Sequence, residues 1–194
     1  MPRVKLFDEN EVLTKAMNLF WKQGYAATSV QDLVSYLGIN RASLYDTFGD
    51  KEQLFRKSFE LYRKTNIKGL KHFLGGHEDI REGFTKLFDD AIQEAITDKD
   101  RKGCFVVNTT TELVPNDDSI AEVLQSNKHE FENIFLEYLK KGEDAGQIKT
   151  DQDLKSIAAL FYTLYNGLRV VSKVQPDKKS LSQSVKVALS VLGW

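Results

Sequence analysis

The chain has 194 residues, 41% of them hydrophobic, with 12 Gly, 3 Pro and one Cys, which excludes a disulfide framework within the chain and argues against a fibrous or disordered one. Its formal charge of -1 is unevenly placed: residues 1–71 hold 12 Lys and Arg against 8 Asp and Glu, and the remainder holds 15 against 20, a basic head on an acidic body. No apolar run approaches the roughly 18 residues that span a bilayer, and the opening MPRVKLFDENEV turns acidic where a signal peptide would be apolar, so the chain reads as cytoplasmic, with no membrane partner.

The pattern is helical nearly throughout. Val12, Leu13, Ala16, Met17, Leu19 and Phe20 recur on one face of a first helix capped by Asp8 and ended by Gly24. Thr28 or Ser29 caps a second, short helix whose Val30, Leu33, Val34 and Leu37 face inward, and Gly38 stops it. Asn40 caps a third through Leu44 and Tyr45, ending near Phe48 and Gly49. Asp50 caps a fourth that runs to Leu74, about 37 Å at about 1.5 Å per residue. Beyond the Gly75–Gly76 break the spacing predicts helices at 78–97, 103–114, 119–142, 153–174 and 178–192, with Asp117, Asp153 and Asp177 at starts and Gly142, Gly146 and Gly193 near stops. In 153–174, Ile157, Ala158, Leu160, Phe161, Tyr162, Leu164, Tyr165 and Leu168 leave hardly any polar side, and such a helix must be buried on most sides. In a chain this short, that points to a second subunit.

Two short helices flanking Gly38 make a helix-turn-helix, in which the second helix enters the DNA major groove. Leu33, Leu37, Leu44 and Phe48 form its core, leaving Asn40, Arg41, Ala42, Ser43, Tyr45, Asp46 and Thr47 outward, side chains able to reach bases or phosphates. The hydroxyls and amides at Thr28 and Ser29 suit a backbone phosphate, as does Lys51.

Leu44-Tyr45, Phe48, Lys51-Glu52 and Leu54-Phe55, preceded by Gly38-Ile39, closely resemble the signature of the TetR/AcrR transcriptional repressors, over roughly residues 8–62. The resemblance implies an all-α chain: a three-helix DNA-binding head (1–49), a connecting helix (50–74), and a ligand-binding and dimerisation body (75–194), assembled as a two-fold dimer. It implies backbone contacts from Thr28, Ser29, Tyr45 and Lys51, base-proximal positions at Arg41, Ala42, Ser43 and Thr47, and further contacts from Gln31 and Asn40. Asp46 and Thr47 depart from the commoner residues of that signature, and an acidic Asp46 costs affinity for phosphate unless it meets a cytosine amino group or pairs with Arg41.

In that family the body dimerises and often holds a small effector. Helices 153–174 and 178–192 are the dimer elements, forming a four-helix bundle with their symmetry mates. Pocket candidates are the aromatics Phe84, Phe88, Phe105, Phe131, Phe135, Phe161 and Tyr165, with Asn108, Thr111, His129 and Asn166 as polar company. Cys104, near a helix start beside Arg101 and Lys102, offers an alternative, a repressor that senses oxidants or electrophiles. A DNA-binding activator without ligand release is a further alternative.

Catalysis finds no support. His72, His77 and His129 have no metal-ligand spacing, the Asp89-Asp90 and Asp117-Asp118 pairs point to different sides, and neither a phosphate-cradling glycine loop nor a nucleophile elbow occurs. No cofactor or metal is expected. The sequence therefore reads as a dimeric regulator that binds a palindromic duplex and leaves it when an effector enters the body.

Overall fold

The computed structural model describes residues 7–194, and among them there are helices and no strands. Helices α1 (Glu9–Gln23), α2 (Val30–Leu37) and α3 (Arg41–Phe48) form the head. The long α4 (Lys51–Gly75) leads to α5 (Ile80–Thr97), α6 (Phe105–Leu113), α7 (Asp118–Asp144), α8 (Leu154–Val174) and α9 (Lys178–Leu189). Short 3-10 turns follow α6 (Val114–Asn116) and α9 (Ser190–Leu192). No helix of the described residues is long and apolar enough to cross a membrane.

Side-chain oxygens set most of the helix starts. Asp8, Asn40, Asp79, Asp117, Asp153 and Asp177 accept backbone N–H groups of their first turns, and Ser29–Asp32 and Asp50–Gln53 close reciprocal capping boxes. Gly38, at φ +68°, supplies the left-handed residue that turns α2 into α3. Gly142 lies near the stop, as its place in the pattern predicts, two residues before α7 ends at Asp144. A Cβ on Gly142 would fall against Ile80 and Ile148, so close packing explains the glycine, and the reversal comes at Gly146, with φ +69°.

Two cores result. In the body, α5 and α7 pack against α8, and α9 closes over α5 around Phe84, Phe88, Phe135 and Phe161. The other core joins α1–α3 to the first half of α4, but it also takes Cys104, Phe105 and Val106 from the start of α6 and Ile120 and Leu124 from α7. Phe105 stands edge-on to Phe55, Phe59 and Tyr62, so the start of α6 is built into the floor of the head. α8 and α9 leave Leu160, Val170, Val171, Val174 and Val187 exposed.

Candidate functional site

The helix-turn-helix core forms as its spacing predicts: Leu33, Leu37, Leu44 and Phe48 are all buried. With Leu44 and Phe48 turned in, α3 presents Arg41, Ala42, Tyr45 and Asp46 to solvent, and Ser43 and Thr47 are half-buried at its flanks. Arg41 does not pair with Asp46. It lies over the ring of Tyr45, 5.6 Å from the centroid, and donates to the Tyr45 hydroxyl at 3.3 Å, because four residues share a helix face and five do not. Asn40 caps α3 by accepting from Ser43 N at 2.8 Å.

At the start of α2 the structure corrects the sequence reading. Thr28 is fully buried, and its hydroxyl donates to the Gly24 carbonyl at 2.6 Å, so it faces the α1–α2 turn and not a phosphate. Ser29 is exposed, but its N–H and hydroxyl both donate to the Asp32 carboxylate, at 2.8 and 2.6 Å. That capping box spends its donors and holds the Asp32 carboxyl below the usual range. Gln31 is exposed beside Ser35. Lys51 sits at the first turn of α4, its Nζ 4.3 Å from the Tyr25 ring centroid. Tyr36, 54% exposed on α2, was not singled out from the sequence. A large aromatic on the polar side of a short amphipathic helix is the signal that would have found it.

In the body, α4, α5, α7, α8 and the start of α6 line a half-open cavity of about 340 Å³. Of the twelve sequence candidates, Cys104, Phe131, Tyr165 and Asn166 line it. Phe84, Phe88, Phe135 and Phe161 are fully buried in the body core, one helix face away, and Phe105 belongs to the floor of the head. Asn108 is taken up by the Lys102 carbonyl and by Lys173, at 2.8 and 2.7 Å. Thr111 and His129 are exposed, whereas Asn166 does line the cavity. The sequence reading missed Tyr62, Arg63, Asn127, Tyr162 and Arg169. Burial raises the phenols of Tyr62, Tyr162 and Tyr165 above their ordinary value, with the Cys104 thiol adding to it at Tyr62, so all three stay protonated.

A second lobe of about 360 Å³ shares Tyr62, Asn66, Glu94 and Arg169 with the first and extends to Trp21 of α1, Lys102 and Gly103. Cys104 is buried in the wall, its Sγ 3.9 Å from the Tyr62 hydroxyl. The cations expected beside it are elsewhere. Lys102 lies over the Trp21 ring at 4.4 Å, and Arg101 is exposed.

The body is tied to the head at three points, of which Gly103 belongs to the cavity wall. Trp21 Nε1 donates to the Gly103 carbonyl at 2.9 Å, and Lys22 pairs with Asp100 at 2.9 Å. From α6, the Glu112 carboxylate accepts the backbone N–H groups of Tyr25 (3.1 Å) and Ala26 (2.7 Å), in the turn that leads into α2. Among the described residues, no cluster of His, Cys, Asp and Glu is arranged to hold a metal ion.

Comparison with known proteins agrees with this geometry. Residues 12–57 match the family described as bacterial regulatory proteins, tetR family, and residues 83–188 match the tetracyclin repressor-like C-terminal domain. The chain is 32% identical to the HTH-type transcriptional regulator YezE of Bacillus subtilis, over 99% of this chain and all of the relative. It is 31% identical to the HTH-type transcriptional repressor ComR of Escherichia coli, over 93% of this chain and 87% of that one. Among solved structures it is similar to a cysteine mutant of the TetR family transcriptional regulator CifR complexed with 26-bp double-strand operator DNA. That likeness has a TM-score of 0.85 at 28% identity, covering 98% of this chain and 99% of the other.

Proposed function

Because the chain belongs to the TetR family of bacterial DNA-binding transcriptional regulators, we propose that it is a dimeric repressor that leaves a palindromic operator when a small effector enters the cavity of its body. The observation that carries this reading is the junction between cavity and head. Two adjoining pockets that share Tyr62, Asn66, Glu94 and Arg169 reach from Tyr165 on α8 to Trp21 on α1, and the α6 carboxylate of Glu112 grips the turn before the helix-turn-helix. Relatives named as repressors, and a similar regulator seen on operator DNA, support the DNA-bound half of the cycle.

In this reading residues 1–49 are the head, 50–74 the connecting helix and 75–194 the body. Arg41, Ala42, Ser43 and Thr47 meet base edges, while Gln31, Asn40, Tyr45 and Lys51 position the backbone. Tyr36 joins the backbone set by its exposure. The exposed strip Leu160, Val170, Val171, Val174 and Val187 on α8 and α9 supports a dimer face, since a monomer would leave these side chains in water. A two-fold dimer sets two heads roughly 34–36 Å apart, one turn of DNA.

Selection of bound sequences from a random duplex library, at about 0.1 M salt where phosphate contacts still contribute strongly, tests the proposal. An inverted repeat is expected, and recovery of no enriched sequence by ligand-free, refolded protein overturns it. Arg41→Ala should weaken binding to that repeat by about 1–3 kcal/mol while Lys51→Ala weakens all duplexes alike. Equal loss on specific and random DNA for Arg41→Ala would remove its base-reading role. A second reading, release by an electrophile at Cys104, is favoured only by the thiol's place in the cavity wall.

A further inference from the structure

The charges around the cavity are sorted by depth. Two guanidiniums lie inward, with the side chains of Arg63 and Arg169 only 11% and 14% exposed, while their carboxylate partners Glu60, outside the cavity lining, and Glu94, at its rim, are 44% and 72% exposed. Arg63 is well satisfied: it pairs with Glu60 at 2.8 Å, and its Nε donates to the Oδ1 of buried Asn127 at 3.2 Å. Arg169 is held mainly by a phenol: its guanidinium lies 3.9 Å from the Tyr165 ring centroid and donates to the Tyr165 hydroxyl at 2.8 Å, while the Tyr165 carbonyl at 3.4 Å and its one carboxylate partner, Glu94, at 3.3 Å are longer contacts. Burial works against that charge, but Tyr165, Cys104 and Glu94 outweigh it and hold the guanidinium above its ordinary value, so Arg169 stays charged, with a largely solvated carboxylate as its one anionic side-chain partner among the described residues.

We propose that the cavity binds a small organic monocarboxylate, whose carboxylate replaces Glu94 on the Arg169 guanidinium and whose apolar part lies along Leu70, Leu87 and Phe131. The planar guanidinium fork matches a carboxylate in two parallel bonds, geometry that a lone ammonium lacks. Beside it the Tyr165 hydroxyl, which accepts from Arg169, keeps its own proton to give, while Asp90 and Glu94 are the carboxylates of the same wall, and both residues are exposed. One cation with a single, largely exposed carboxylate to displace suits one negative charge, so a doubly charged phosphate ester fits less well. The volume of about 340 Å³, with a leucine and phenylalanine floor, is that of a site for a small amphiphilic molecule. The inference rests on the effector reading above and names the chemical class of the effector.

Calorimetric titration of the whole protein without DNA, using hexanoate, decanoate and phenylbutyrate beside their primary amides, tests it. A carboxylate is expected to bind about tenfold or more tightly than its amide, and Arg169→Gln to erase that preference. Arg169→Gln disturbs a packed side chain, so Glu94→Gln at the exposed rim is the second variant. By removing the competing carboxylate it should tighten carboxylate binding several-fold. No binding by any of the three acids, amides that bind as well as acids, or a Glu94→Gln variant with unchanged or weaker affinity each overturns the inference. Operator retention is read separately. Carboxylate binding without operator loss sustains this inference and overturns the release mechanism, whereas operator release by amides alone does the reverse.

Discussion

Glu112→Ala removes the carboxylate that holds the α1–α2 turn, and its cost follows from the groups it exposes. Two backbone N–H groups lose an ionised acceptor, at 3.1 Å from Tyr25 and 2.7 Å from Ala26. A bond to a charged group contributes about 1.5–3 kcal/mol net when both partners are shielded. Here the Ala26 residue is exposed and its N–H finds water once released, while Tyr25 is half-buried. The loss therefore comes to about 2 kcal/mol, which for a domain of this size lowers the thermal midpoint by roughly 4–8 °C. Glu112→Gln, keeping one neutral acceptor oxygen, should lose about half as much. Amide hydrogen exchange localises the effect, since Tyr25 and Ala26 should lose protection while the body core keeps its own. The seat is also shaped from the other side: Gly24 has φ +87°, and a Cβ there would come within 3.0 Å of a Glu112 oxygen, so Gly24→Ala should loosen the same amides. Unchanged protection of Tyr25 and Ala26 in Glu112→Ala would refute the clasp, even if the midpoint fell.

Gly83→Ala should destabilise the body by about 2–4 kcal/mol, read by urea unfolding, because a Cβ there would fall on the Tyr138 hydroxyl, which donates to the His77 and Asp79 carbonyls. A cost below 1 kcal/mol (order of magnitude, from the same overpacking range) would show that Tyr138 swings aside freely. Burial, then Asp79 and Glu82, push the Tyr138 phenol up to about 12. A group raised in the folded state stabilises fully below its unfolded value of about 10 and loses that contribution as pH rises through the folded one, so stability should fall between about pH 10 and 12, and less steeply in Tyr138→Phe. Iodoacetamide at neutral pH should alkylate Cys104 far more slowly in folded than in unfolded protein, since the thiol is buried against Tyr62; equal rates would favour the electrophile-sensing reading.

The head was legible because its signals are local. Ser29, Asn40 and Asp50 cap by accepting N–H groups three residues on, Gly38 is the turn residue, and Leu33, Leu37, Leu44 and Phe48 recur at helical spacing. Thr28 misled because a hydroxyl just before a helix reads the same whether it turns to solvent or folds back onto Gly24. The cavity was mostly illegible for a different reason. On α8, Phe161 belongs to the core, while Tyr162 and Tyr165 face the cavity, and a helix apolar on every side does not label those faces. The usable signal was polar: Arg169 is the first charge after Lys155 in an otherwise uncharged stretch of α8, and Asn127 interrupts the buried side of α7. A costly group inside an apolar pattern marks a cavity better than another aromatic does.

Those two helices also locate where a ligand must act for release to follow. A molecule with equal affinity for both states shifts nothing, so a hundredfold loss of operator affinity requires about 2.7 kcal/mol of differential binding. Tyr62 stands where that difference can arise. Its ring lies edge-on to Trp21 of α1 at 5.0 Å and to Phe105 of α6 at 5.4 Å, and its hydroxyl accepts from Phe105 N at 3.4 Å. The same ring walls both lobes of the cavity. A ligand seated against Tyr62 and Arg169 therefore presses on α4 and on the start of α6 together. From there the force divides, through the Trp21–Gly103 bond to α1 and through Glu112 to the turn before α2. Phe105 packs on Phe55, Phe59 and Tyr62 of α4, so a shift of α6 strains that aromatic cluster and at the same time pulls on the α1–α2 turn through Glu112. On that ground the spacing of the two heads should change by movement of each head as a unit, with the helix-turn-helix core intact.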